Sequence, residues 1–166
     1  MNTNEFWKII DKSRRGAESD EEQAEKLQAI LSTLPAEEIR AFDKIFTELR
    51  FAAYHWDIWG VAYILCGGCG DDGFDYFRAW LIGRGQKVYE AALADAQSIA
   101  KKVTEDDLPE AEMLMYAASQ AYTAKTGNEL PANKLKHPKK PAGKKWQEDD
   151  LEKRFPIAYK KEGICG

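Results

Sequence analysis

An all-α fold is predicted by three features of this 166-residue chain. Apolar residues recur at three- and four-residue steps through most of it, no stretch alternates apolar and polar residues as a half-buried strand does, and glycine or proline stands at most breaks. The pattern predicts a single compact domain of about six to seven helices, with a central pair of buried, aromatic-rich helices. A helical body spans 1–130. A lysine- and proline-rich loop or tether follows over 131–145, and a C-terminal segment over 146–166 docks back on the body.

Taken in order, Phe6, Ile9 and Ile10 give a short first helix, with Thr3 or Asn4 as its cap. Ser19 followed by Glu22 is a capping-box pattern and opens a second helix, with Ala24, Leu27, Ile30, Leu31 and Leu34 on one face. Pro35 resets the chain. Ile39, Phe42, Ile45, Phe46, Leu49, Ala53 and Trp56 then mark the clearest amphipathic helix, opposite Glu37, Glu38, Arg40, Lys44 and Glu48. A bend is expected near His55, because residues 56–65 are too apolar all round for a surface helix. Gly60 within them permits a close backbone approach, at about 1 kcal/mol of helix propensity.

The run Cys66-Gly67-Gly68-Cys69-Gly70 ends that helix. Asp71 or Asp72 is expected to cap the next, over 74–82, and Gly83 and Gly85 to close it. Val88, Tyr89, Ala92 and Leu93 mark another helix beginning near Gln86. An acidic entry over 105–110 leads into a further helix, striped by Ala111, Leu114, Met115, Ala118, Ala121 and Tyr122 and stopped by Gly127. Beyond the lysine-rich stretch, Trp146 and residues 149–155 suggest a last short helix that docks by its aromatics.

The net charge of −4 is unevenly spread. Residues 134–166 hold ten Lys/Arg against five Asp/Glu, which leaves −9 on residues 1–133. So acidic a body repels phosphate backbones. Nucleic acid is therefore expected to bind only weakly, through Lys134, Lys136, Lys139, Lys140, Lys144 and Lys145, with Trp146 the one aromatic close by. No apolar run is long enough to span a bilayer, and the first residues lack a secretory layout. Three cysteines fit a reducing compartment better than a disulfide framework, so a cytoplasmic location is expected.

The run HWDIWGVAYILCGGCGDDGFDYFRAWLIGRGQKVYEAALAD resembles the signature of the family called domain of unknown function 4240. The likeness extends to FWKIID, AFDKIFTEL, YAASQAYTAKTG and EDDLEKRFP. It implies a bacterial, helical, single-domain protein and supplies no reaction. Cys69 fits the family's pattern and Cys66 departs from it, which weakens any mechanism that needs both thiols.

Candidate chemistry is concentrated between residues 55 and 84. Asp57, Asp71, Asp72, Asp75 and Arg78 are candidates for a catalytic cluster, since neighbouring carboxylates can divide acid and base roles. Asp71 and Asp75 share a helix face, and Arg78 lies beside Asp75. The same residues also read as helix-capping and ion-pairing groups. His55, next to Asp57, is a candidate general base. Trp56, Trp59, Asp72 and Arg84 are candidate binding residues, because aromatics serve cores, clefts and interfaces alike.

Cys66-x-x-Cys69 follows an apolar helix with no βαβ pattern around it, so it reads as a glycine turn with two small buried residues. Cys165, His55 and His137 add no paired ligand spacing, and neither metal nor cofactor is predicted. No G-x-S-x-G, P-loop or H-E-x-x-H motif occurs. The expectation is an acidic protein-interaction module that binds another protein, with an immunity-like version that covers a basic toxin. The alternative is a small enzyme using the aspartate–Arg78 cluster on a polar or phosphorylated substrate.

Overall fold

The computed structural model describes residues 1–165, and among these the regular structure is helical, apart from one isolated parallel bridge between His55 and Ala142. Helix α1 (Thr3–Arg14) is capped by Asn2, and of the two expected caps Thr3 is its first residue and Asn4 its second. Asn2 Oδ1 accepts from Glu5 N at 2.9 Å, while Glu5 Oε2 accepts from Asn2 N at 2.7 Å, so the pair satisfies two otherwise orphaned donors. Helix α2 (Asp20–Ser32) is capped by Ser19, whose Oγ accepts from Glu22 N at 3.1 Å. Helix α3 (Ala36–Ala52) follows Pro35, and the chain then turns at His55, whose Nδ1 accepts from Asp57 N to cap α4 (Trp56–Leu65).

Helix α5 (Asp71–Gly83) corrects two expectations. Its N-cap is Gly70, with no side-chain cap, and Asp71 and Asp72 occupy the first turn, where the helix dipole favours carboxylates. Gly83 is the last residue of the helix and not its stop. A Cβ there would lie 2.7 Å from Leu114 Cδ1, so Gly83 lets another helix come close. The chain reverses at Gly85, with φ of 96°. Helix α6 (Gln86–Ala94) buries Tyr89 and Ala92 but leaves Leu93 exposed. A 3₁₀ turn (Ala96–Lys101) leads on to α7 (Glu112–Thr126), which Gly127 ends at φ 72°.

Past the lysine-rich stretch come a 3₁₀ turn (Glu148–Asp150) and two four-residue helices, α8 (Leu151–Arg154) and α9 (Pro156–Tyr159). The helix count therefore exceeds the six or seven expected. The additional elements are too short for a 3.6-residue period to register.

Helix α7 packs along α2 and α3, and α1 covers α2. Phe6 and Phe42 stack at 4.7 Å between ring centres within this layer. Helices α4 and α5 supply the other half of the core through Ile58, Val61, Leu65, Phe74, Phe77, Trp80 and Leu81, all buried. Gly60 makes the close approach its position suggests. A Cβ there would fall 2.6 Å from the Phe155 ring and 3.0 Å from Trp146 Nε1, so the C-terminal aromatics rest directly on the α4 backbone.

The lysine-rich stretch lies along the body without forming a helix. Asn133 Nδ2 donates to Asp43 Oδ2 and Thr47 Oγ1. The His137 ring packs on Phe51 and Tyr54. Ala142 N donates to Tyr54 O, and Trp56 N donates to Ala142 O, each at 2.9 Å.

Candidate functional site

Trp56 and Trp59 stack at 5.4 Å with 9° between their planes, and Trp59 stacks in turn on Phe74 at 4.8 Å and 13°. Trp59 Nε1 donates to Cys69 O at 2.8 Å, which ties the glycine turn to α4. Next to this column the Arg78 guanidinium lies 4.8 Å from the centres of both the Tyr54 and Phe74 rings and is only 2 % exposed. Its Nη1 donates to Arg50 O at 2.9 Å, its Nε to Phe74 O at 3.2 Å and its Nη2 to Asp75 Oδ1 at 3.0 Å. Arg50 Nη1 takes the other oxygen of the same carboxylate, at 3.1 Å.

Burial lowers the Arg78 pKa to about 10, with Asp75 opposing and Arg50 adding a repulsion. The side chain thus remains a cation at neutral pH. Both oxygens of Asp75 face arginine, so the cluster works as a cross-tie from the end of α3 to α5.

The remaining candidates lie elsewhere. Asp57 pairs with Arg154 of α8 at 2.5 Å, and Arg154 also donates to Lys144 O. His55 and Asp57 line a cavity of about 320 Å³ together with Ala94–Gln97 and Phe155. Arg84 ion-pairs with Asp20, donates to Gln23 Oε1 at 2.9 Å and lies over the Trp80 ring. Burial raises the Asp20 carboxyl above its ordinary value against the pull of Arg84, with Glu21 and Asp107 adding to the rise. Asp71 and Asp72 are exposed. Of the predicted cluster, only Asp75 and Arg78 meet.

Several participants carry no signal in spacing. Arg50 is one, since its partner Asp75 is 25 residues away. An acidic, tyrosine-bearing face is another. Ala111 N donates to Tyr76 O, bringing the N-cap of α7 onto the second turn of α5, and Tyr116 donates to Glu112 Oε1 at 3.0 Å. Tyr76 has its pKa raised by partial burial and then by Glu112 and Asp72, and Tyr116 has its own raised by its bond to Glu112. Met113, Tyr116 and Leu108 are exposed on or beside this face.

Away from it, a cavity of about 720 Å³ is lined by Arg14, Arg15, Arg84, Lys87 and Lys102, with Asp11 its one acidic residue. Five of the fourteen Lys/Arg in residues 1–133 thus converge on one concavity, against one of twenty-three Asp/Glu. Among the described residues no group of three or more His, Cys, Asp or Glu is arranged to hold a metal ion. Among the same residues no helix is long and apolar enough to cross a membrane.

No curated protein and no solved structure matches the chain. A family model described as a protein of unknown function (DUF4240) matches residues 1–124, from α1 almost to the end of α7. The lysine-rich stretch, the two short helices and the EDDLEKRFP likeness fall outside the matched residues. Because the match takes in the core, the aromatic column and the Arg50–Asp75–Arg78 tie, the chain belongs to this family of proteins of unknown function.

Proposed function

We propose that the chain is a protein-interaction module that binds a basic protein through the face formed by Asp71, Asp72, Tyr76, Glu112, Met113 and Tyr116. The observation that carries this reading is the composition of that face: the exposed Asp71 and Asp72 and the half-buried Glu112 around tyrosine and methionine, on a body of net charge −9. Tyrosine and methionine are enriched at interface cores, and an acidic rim speeds encounter with a basic surface. The immunity-like form of the reading is a nucleic-acid-cleaving toxin whose basic active site this face covers.

The test is affinity capture from the native cell with the parent protein and with a variant carrying Asp71→Lys, Asp72→Lys and Glu112→Lys. The expected result is a basic partner that the parent retains, that the variant loses, and that raised salt releases. A partner held equally by both proteins removes this face from the reading. Protection of cells that co-express the partner, lost with the variant, identifies the immunity-like form.

A second reading, action on a small phosphorylated substrate, is favoured by the cation-lined cavity of about 720 Å³ and not by the aspartate cluster. Turnover of phosphoesters, together with pyrophosphate binding that Arg15→Ala and Lys87→Ala abolish, would support it over the first.

A further inference from the structure

Three thiols are present, and the pair that meets is not the C-x-x-C pair. Cys66 Sγ lies 3.0 Å from Cys165 Sγ, although the residues are 99 apart in sequence. Cys69 Sγ instead points toward its neighbour's carbonyl, Gly70 O, at 3.8 Å. The C-terminal turn is held in place by its backbone: Gly163 N donates to Ile64 O at 2.9 Å and Cys165 N to Leu65 O at 3.1 Å. The last residues of α4 and the chain end are therefore registered on one another, with the two sulfur atoms at the seam. All three cysteines are free thiols.

We infer that Cys66 and Cys165 form a reversible disulfide, which makes the seam between α4 and the C-terminus a site of oxidative modification by small-molecule disulfides of the glutathione class. The sulfur atoms need to close by only about 1 Å to reach bonding distance. The hydrogen bond between them divides their acidity. It raises the Cys66 thiol, which burial raises further, and it draws the Cys165 thiol down. Cys165 Sγ also donates to Leu65 O at 3.0 Å, a bond it loses when its turn leaves α4, and the solvated thiolate it can then form is the first nucleophile. Its burial requires the terminal turn to fray before it reacts.

The Cys165 thiolate attacks one sulfur of oxidised glutathione, forms a mixed disulfide and expels one glutathione thiolate. Cys66 then gives its proton to solvent, attacks the Cys165 sulfur and expels the second. Two protein thiols are oxidised, and one glutathione disulfide is reduced to two thiols. The bond closes a loop of about 100 residues, the regime in which cross-linking most restricts the unfolded chain. A rise in thermal midpoint on the order of 10 °C follows for a domain of this size. This inference is independent of the proposed binding face.

The experiment incubates the full chain with oxidised glutathione, quenches, and alkylates the denatured protein with a maleimide mass tag. The expected product carries one tag, on Cys69, and yields a linked peptide pair containing Cys66 and Cys165. Reduced glutathione restores three tags. The thermal midpoint rises in the parent and in Cys69→Ser, and does not rise in Cys165→Ser. If Cys165→Ser fails to fold, the peptide linkage in the parent decides alone. Three tags after oxidation, a bond that includes Cys69, a persistent glutathione adduct or a link between two chains each overturns the inference.

Discussion

Asp72 and Asp75 lie three residues apart on α5, yet the fold treats their charges differently. Asp75 is held between Arg50 and Arg78, and the buried Arg78 spends its donors on it and on two backbone carbonyls. Asp72 is exposed, and among the described residues no cation pairs with it. A carboxylate whose field two arginines already use contributes to the fold, whereas one left in solvent is free to meet a partner. The functional value of an acidic run therefore follows from where the cations of the fold lie, and acidity alone does not fix it.

The largest expected effect tests the buried side of this contrast. Asp75→Asn leaves Arg78 enclosed without its counter-charge and should cost about 3 kcal/mol, since removing one partner of a buried pair strands the other. Urea denaturation measures it. A loss under about 0.5 kcal/mol would mean that the carbonyl and ring contacts alone hold Arg78, and the contrast with Asp72 would collapse.

Next in size is Gly60→Ala, which sets a methyl group against the Phe155 and Trp146 rings. Overpacking of this kind costs about 2 kcal/mol. Residues 131–159 should loosen before the main helices do, with new cleavage at Lys139–Lys145 in limited proteolysis. Cleavage unchanged from the parent would show that the C-terminal aromatics can shift without releasing the stretch before them.

What could be read in advance follows the range of each interaction. Six of the seven long helices were legible because their apolar stripes are local, α4 because its apolar run is equally local, and the close approach at Gly60 because a glycine inside an apolar helix has few other uses. Caps were less so. Asn2, Thr3 and Asn4 are all plausible, and only the reciprocal bond with Glu5 selects Asn2. Partners far apart in sequence leave no spacing to read. Asp57 finds Arg154 across 97 residues, and Cys66 finds Cys165 across 99. The candidate cluster dispersed for that reason: its arginine partners come from α3 and α8. The lysine-rich stretch shows the same limit, since composition cannot reveal that Asn133 and Ala142 bond to the body.

A smaller effect tests the exposed side. Asp72→Asn should leave the urea midpoint within about 0.5 kcal/mol of the parent, because the residue neither caps α5 nor pairs with a cation. A loss as large as that of Asp75→Asn would reveal a structural duty for Asp72 and weaken its place in the binding face.

The smallest effect brings in a third carboxylate, one that is partly buried and has an amide where Asp75 has two cations. Asp43 accepts from Asn133 Nδ2 at 2.9 Å, and burial raises its pKa above 3.8 despite that bond and the pull of Arg50. The sign follows from which state holds the proton. Between 3.8 and the raised folded value, the native state binds more protons than the unfolded one, so this group's contribution to stability falls as pH rises through that window. Above the window the contribution stays at its lowest, because the ionised carboxylate is the poorly solvated form. Asp43→Asn keeps an acceptor for Asn133 and removes the ionisation. Its stability relative to the parent should therefore climb as pH rises above about 4 and then level off before neutrality. Urea midpoints of both proteins across that range measure the difference. A difference that falls with rising pH would mean that the Asn133 bond and Arg50 stabilise the ionised form more than burial opposes it, and Asp43 would then belong with Asp75 among the carboxylates whose charge the fold uses.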